Sequence, residues 1–248
     1  MSTVLSPCFI GGWGSTAELW HATLNELTNE LTTIPAAGPH FLSWLDCVQD
    51  WPAALEAISS LPGRCLLVGW SLGTLFSLRA ALEISQQMPE KIAATVLVSA
   101  TPCMCAGKDS RGNDYCGIDP RILAAMRARV ARNPAPVLEE FALQCTLPDG
   151  DTAARDAYLL QARQFSAPEL AAGLDALASL DLRERLGEIR VPCRLLHGDC
   201  DRIVPLPSAR FLAAQLPHAE FEVLEGYGHA LPFTAPARIA QSIASVAA

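Results

Sequence analysis

The sequence predicts an α/β fold: a mostly parallel central sheet with helices on both faces and an inserted helical cap. Three observations carry that expectation. Short apolar runs alternate with stretches of helical periodicity up to about residue 99, and the alternation resumes at residue 193. Between about residues 103 and 185 the patterns are mainly helical, with irregular links. One apolar run ends in Gly69-Trp70-Ser71-Leu72-Gly73 and opens straight into a helical stretch. The expected organisation is a sheet domain built from residues 1–102 and 186–248, with the cap at 103–185.

Bulk properties bound the function. Hydrophobic residues make up 50% of the 248 and charged residues 18%, enough for a large core and against disorder. The net charge of −8 argues against nonspecific nucleic-acid binding. No apolar run approaches the roughly 20 residues that span a bilayer. Met1-Ser2-Thr3-Val4 carries no basic leader, so a cytoplasmic protein without membrane attachment, and a monomer, is expected. The nine cysteines include no Cys-x-x-Cys and no Cys/His ligand spacing, so neither a metal nor a cofactor is expected. Cys8, Cys65 and Cys193 lie in expected strands and read as core thiols.

Taken in order, Val4 to Ile10 reads as a strand running into the turn Gly11-Gly12-Trp13-Gly14-Ser15. Leu19, Leu24, Leu27 and Leu31 then recur at helical spacing. Leu31 to Ala36 reads as a second strand, and Leu42 to Leu61 as a helix interrupted near Pro52. Cys65 to Val68 is a buried strand, Thr74 to Met88 a helix, and Ala93 to Ser99 a further strand. In the cap, Pro120 to Asn133 puts Ile122, Leu123, Met126 and Val130 on one side. Arg121, Arg129 and Arg132 fall on the other, within about 80° at 100° per residue. Helices are expected over 136–145, 152–165 and 168–177. Cys193 to His197 and Phe221 to Leu224 are the last strands, with helices at 206–216 and 236–246.

The chemistry gathers at three places. Strand, tight turn and helix around Gly-x-Ser-x-Gly is the context of a nucleophile elbow, which exposes Ser71 and aims the Leu72 amide at a reacting oxygen. Gly11-Gly12-Trp13-Gly14 lacks the spacing of a nucleotide loop. Beside an elbow it reads as the second half of an oxyanion hole, with Trp13 giving its N–H. A serine needs a base, and the base an orienting acid. Of five histidines, only His229 follows the final strand, in a glycine-rich loop. Asp199 and Asp201, after the 193–197 strand, are both placed to be the acid.

These residues resemble the α/β-hydrolases. More narrowly the chain resembles the pimeloyl-acyl carrier protein methyl ester esterases of biotin synthesis, the BioH family. The resemblance is carried by Gly12-Trp13-Gly14, the elbow, Ala100-Thr101-Pro102-Cys103, Gly117-Ile118-Asp119-Pro120, Phe141 to Cys145, Leu180-Asp181-Leu182-Arg183 and His229-Ala230-Leu231-Pro232-Phe233. It implies Ser71 as nucleophile, His229 as base and Asp201 as acid, on the Gly-x-x-Asp-x-x-Val-Pro pattern of such loops, leaving Asp199 to cap the turn. It implies oxyanion amides at Trp13 and Leu72, which with His229 line the acyl site. Phe141, Ala142, Leu143 and Gln144 would touch the acyl chain from the cap. The implied reaction is hydrolysis of a methyl ester through an acyl-enzyme, with an acyl carrier protein as partner. Arg121, Arg129, Arg132, Arg155 and Arg163 are the candidates to receive that carrier.

The sequence departs from the family at Gly11, where histidine is usual, at Thr74, where glycine is usual, and at Glu139 and Glu140, where a basic residue is expected. A less selective short-chain esterase or thioesterase, and a hydrolase-fold small-molecule receptor with little turnover, are the alternatives.

Overall fold

A computed structural model describes residues 4–30, 38–108, 112 and 114–247. The strands are β1 (Leu5–Ile10), β2 (His40–Leu42), β3 (Arg64–Trp70), β4 (Ile92–Val98), β5 (Gly107–Lys108), β6 (Asp114–Tyr115), β7 (Cys193–Gly198) and β8 (Ala219–Leu224). Six of them form one sheet in the order β2-β1-β3-β4-β7-β8, and every neighbouring pair is parallel. β3 and β4 are apolar and almost wholly buried, as a parallel sheet flanked by helices requires. The edges are blunted: β2 has three residues, and β8 carries Glu220 and Glu222, which pair with Arg194 and Arg238. β5 and β6 form a small separate hairpin.

The helices are α1 (His21–Glu30), α2 (Trp44–Gln49), α3 (Trp51–Ser59), α4 (Leu72–Gln87), α5 (Pro120–Arg132), α6 (Pro134–Cys145), α7 (Thr152–Ala162), α8 (Ala167–Ser179), α9 (Leu206–Gln215), α10 (Leu231–Thr234) and α11 (Pro236–Ala247). α1 packs on α11, and α4 packs along β3 and β4. The expected strand at 31–36 lies outside the described residues. The structure corrects two nearby boundaries. Residues 40–42 pair with β1, and the helical break falls at Asp50, not at Pro52. Asp50 accepts from the Ala53 amide at 3.0 Å, and Pro52 sits in the first turn it caps, where its missing N–H costs nothing.

Between β4 and β7, α5 to α8 pack against one another. Each begins at a residue that caps it: Asp119, Asn133, Asp151 and Ser166, three of them with a proline in the first turn. Ser166 and Glu169 close a reciprocal capping box. The two ends of this insertion meet, because the Leu182 amide donates to Pro102 O at 2.9 Å and Cys103 bridges Asp181. On α5, Leu123 and Val130 are buried, but Ile122 is 60% exposed. The single apolar side expected for that helix therefore splits between core and surface.

The chain turns to β2 on one side of β1 and crosses back to β3 on the other. The carboxyl ends of β1 and β3 thus form a switch point, the place in an open parallel sheet where ligands bind.

Candidate active site

β3 delivers Ser71 to the switch point with φ 54° and ψ −120°, in the left-handed half of the map. A non-glycine residue there is strained. The strain is held by Ser71 N donating to Val98 O at 3.0 Å and by Thr74 Oγ1 donating to Ser71 O at 2.6 Å. Thr74, unusual by comparison with the resembling family, thus satisfies the elbow carbonyl. Glycine is required twice. A Cβ on Gly73 would lie 2.2 Å from Ile10 O, so only glycine lets the start of α4 cross the end of β1. A Cβ on Gly12 would lie 2.9 Å from Ser71 Cβ and 2.7 Å from the Trp70 ring.

His229 Nε2 lies 3.0 Å from Ser71 Oγ, and its Nδ1 lies 2.7 Å from Asp201 Oδ2. All three residues are buried. The loop amides of Ile203 and Val204 both donate to Asp201 Oδ1 at 2.8 Å. Burial pushes the Asp201 carboxyl up, but the facing imidazoles of His229 and His197 and the Val204 amide more than offset it and hold it below the usual carboxylate range. With Nδ1–H given to the carboxylate, Nε2 is free to accept the serine proton. The His229 carbonyl is itself fixed, accepting from Trp70 Nε1 at 2.9 Å and Ser99 Oγ at 3.0 Å.

The structure thus brings Ser71, Asp201 and His229 into one hydrogen-bonded chain. Asp199 stands outside it and accepts from the Gly226 amide at 2.7 Å, tying the loop after β7 to the loop that carries His229. His197, inside β7, is a second buried imidazole. Its Nε2 lies 3.0 Å from Val204 O and 3.5 Å from Asp201 Oδ2, and burial holds it neutral, below the ordinary histidine range.

Of the two expected amide donors, Leu72 follows Ser71 as the first residue of α4, and Trp13 lies beyond the end of β1 and lines the same cavity as Ser71. Trp13 is braced by the insertion: its Nε1 donates to Leu170 O at 2.8 Å, and its carbonyl accepts from the Tyr158 hydroxyl at 3.0 Å. Its ring meets Phe141 edge-on at 5.1 Å. On the other side of this turn, Ser15 Oγ donates to Gly12 O at 2.8 Å and fills the space a side chain at residue 11 would take.

A cavity of about 360 Å³ opens over Ser71 and Trp13. Its walls are mainly apolar, from Met104, Ile118, Leu123, Met126, Val137, Leu174, Leu177 and Ile203. Ile122, the exposed member of the α5 stripe, lines it too. Of the residues expected to line the acyl site, Trp13, Phe141 and Gln144 line the cavity, whereas Leu72 and His229 are fully buried and do not. Ala142 and Leu143 do not: Ala142 is buried in the insertion and Leu143 is 42% exposed. Val137, Phe141 and Gln144 recur at spacings of four and three and so share the face of α6 turned to the cavity, and Ala142 and Leu143 fall off it.

The arginine group is dispersed among local ion pairs. Arg121 pairs with Asp119 at 2.5 Å, Arg129 with Glu140 at 2.7 Å, Arg155 with Asp156 at 3.5 Å and Arg163 with Glu139 at 3.3 Å. Arg132 is exposed. Only Arg129 of the five lines the cavity, and Glu140 lines it beside Arg129. Among the described residues no cluster of three or more metal-ligating side chains occurs, and no helix is long and apolar enough to cross a membrane.

The sequence profile described as the alpha/beta hydrolase family matches residues 8–242. The chain belongs to the alpha/beta hydrolase family. Among its relatives, the pimeloyl-[acyl-carrier protein] methyl ester esterase of Yersinia enterocolitica is 30% identical over 239 residues, 90% of this chain and 84% of that one. The protein of the same name from Aromatoleum aromaticum is 30% identical over 237 residues, 90% of this chain and 89% of that one. The resemblance read from the motifs therefore extends along the chain. An esterase from Exiguobacterium antarcticum superposes with a TM-score of 0.80 at 16% identity, over 100% of this chain and 93% of that one. A bromoperoxidase from Bacillus anthracis reaches 0.76 at 19%, over 97% and 90%. At such identities the likeness establishes the hydrolase fold alone.

Residues that bear on the site but carried no sequence signal are Tyr158, Leu170, Ser99 and Arg202. Each acts through a partner far along the chain or through the shape of the cavity.

Proposed function

We propose that the chain is a serine carboxylesterase whose substrate is the methyl ester of an acyl group carried as a thioester, pimeloyl-acyl carrier protein. The observation that carries the esterase reading is the unbroken Ser71–His229–Asp201 hydrogen-bond chain opening into an apolar cavity. Ser71 Oγ attacks the ester carbonyl carbon while His229 Nε2 takes its proton. The amides of Trp13 and Leu72 receive the oxyanion. The tetrahedral intermediate collapses, His229 gives the proton to the leaving methoxide, and methanol departs. Water then repeats the sequence on the acyl-enzyme, releasing the carboxylate and Ser71. Asp201 stays ionised throughout and holds the imidazole in register.

Residues 103–185 act as the cap that shapes the acyl pocket, with Phe141 and Gln144 its contact points. The pimeloyl and carrier-protein part of the proposal draws on the relatives' names. The paired arginines and the net charge of −8 favour a second reading, a small diffusible ester, because long-range attraction for an acidic carrier is absent.

The test compares methyl pimeloyl-carrier protein with free chromogenic esters, with Ser71→Ala as the blank. Preferential turnover of the carrier-bound ester, lost in the variant, is expected. Turnover of free esters alone refutes the carrier substrate, and absence of Ser71-dependent turnover refutes the esterase.

A further inference from the structure

We infer that Arg202 binds an anionic group of the acyl substrate, so that the preferred ester carries a negative charge besides its scissile ester. The inference deepens the esterase reading and rests on it. Three charged side chains line the cavity: Arg129, Glu140 and Arg202. Arg129 and Glu140 neutralise each other at 2.7 Å. Arg202 is exposed and forms no ion pair among the described residues. The cavity edge therefore carries one uncompensated positive charge against apolar walls.

The position of Arg202 is fixed by its neighbours. Asp201, just before it, is held by His229 and by two loop amides, and Ile203, just after it, forms part of the cavity wall. The backbone on either side is thus anchored, and the side chain leaves a rigid loop on the side of the cavity where the acid sits. An exposed guanidinium at an apolar cavity suits a planar or tetrahedral oxyanion. The arginines of the insertion differ. Arg121, Arg127, Arg155 and Arg163 are each matched to a carboxylate of their own, and Arg132, which is exposed, does not line the cavity. At the cavity itself, charge recognition is therefore concentrated at one point.

The shared ligand chemistry is a monoanion joined to the ester by an apolar chain. It has two sources, the terminal carboxylate of a dicarboxylic acid monoester and the phosphodiester of a phosphopantetheine arm. A solvated surface arginine with no ligand is the competing outcome.

The experiment measures kcat/KM for three methyl esters of one chain length. They end in a carboxylate, in a neutral carboxamide and in a phosphopantetheine thioester. Wild type is expected to prefer the anionic esters over the carboxamide by about 10-fold, the low end for a charged hydrogen bond at an exposed site. The ratio falls toward one in Arg202→Gln, persists in Arg202→Lys and inverts in Arg202→Glu. Which anionic ester depends most on Arg202 identifies the source. Turnover of the carboxamide ester in each variant reports the state of the triad, so a damaged fold is separated from a lost contact. Ser71-dependent turnover with a wild-type ratio of one, or a ratio that Arg202→Gln leaves unchanged, overturns the inference and leaves the esterase standing. If no ester is turned over, the esterase reading falls. Calorimetry of the dicarboxylate on Ser71→Ala then decides the anion site, and binding that does not depend on Arg202 overturns it.

Discussion

Tyr158→Phe isolates how far the insertion holds the Trp13 turn, the proposed oxyanion donor. Tyr158 is buried on α7, and its hydroxyl is the donor to the Trp13 carbonyl at 3.0 Å. Its ring lies 5.5 Å from Phe141 and 6.5 Å from Trp70, contacts that phenylalanine keeps. The substitution therefore removes one oxygen and leaves a buried carbonyl without that donor. An unsatisfied buried acceptor costs about 1–3 kcal/mol. At this chain length each kcal/mol lowers Tm by roughly 2–4 °C. Complete loss of an oxyanion donor lowers kcat by about 10²–10³. Here the Trp13 amide remains but loses its brace, so a fall of about 10-fold in kcat is expected, with KM little changed because the cavity wall is intact. Thermal unfolding and steady-state kinetics on a chromogenic ester, run well below both Tm values, measure the two effects. A lower Tm with unchanged kcat would show that the bond stabilises the fold without positioning the turn. No change in either would refute the bracing altogether.

Gly73→Ala should abolish the soluble folded protein or cost about 3 kcal/mol or more, since its Cβ would meet backbone oxygens at 2.2 and 2.7 Å; a denaturation midpoint near wild type would refute that crossing. Burial holds His197 below its ordinary pKa, so the unfolded chain binds its proton first on acidification. That contribution to stability is present above about pH 6.5 and fades as the pH falls; His197→Gln should flatten the pH dependence of urea stability between about pH 7 and 5, and an identical slope would sink the argument. Burial pushes the Cys8 thiol up to about 12 and the Cys193 thiol up to about 11. A thiol reagent at mildly alkaline pH should therefore modify exposed Cys116 first and reach Cys8 and Cys193 only on unfolding. Rapid native labelling of either buried thiol would contradict the packing of β1 or β7.

The meeting of Ser71, Asp201 and His229 was legible because it is set by local signals: a glycine-flanked serine after an apolar run, and loops after the two late strands. Chain order then did the rest. β2 was not legible, because three edge residues with Phe41 41% exposed leave no apolar run to read. The break at Asp50 had its signal in Asp50-Trp51-Pro52, an N-cap followed by a first-turn proline, which competed with the plainer reading of proline as an interrupter. Ile122 looked like core by periodicity, yet it is 60% exposed and lines the cavity over Ser71. The contacts that brace Trp13 join residues 145 and 157 positions away, and no window of sequence holds such a signal.

Those same contacts limit how the cavity can fill. The insertion is tied to the site at four points: Trp13 Nε1 to Leu170 O, Tyr158 hydroxyl to Trp13 O, Thr16 N to Gln161 Oε1, and Ala230 N to Cys145 O. Swinging α6 to α8 away as one lid would break all four, at about 0.5–1.5 kcal/mol each, before exposing any apolar wall. It would also release Trp13 and the loop of His229, the groups on which the proposed chemistry depends. Ligand exchange past the edge formed by Arg129, Glu140 and Arg202 breaks at most one exposed ion pair, which contributes little. On the proposed esterase reading the two tasks separate: the insertion stays closed to keep Ser71, His229 and Trp13 in register, while selection is assigned to the charged side chains at the edge.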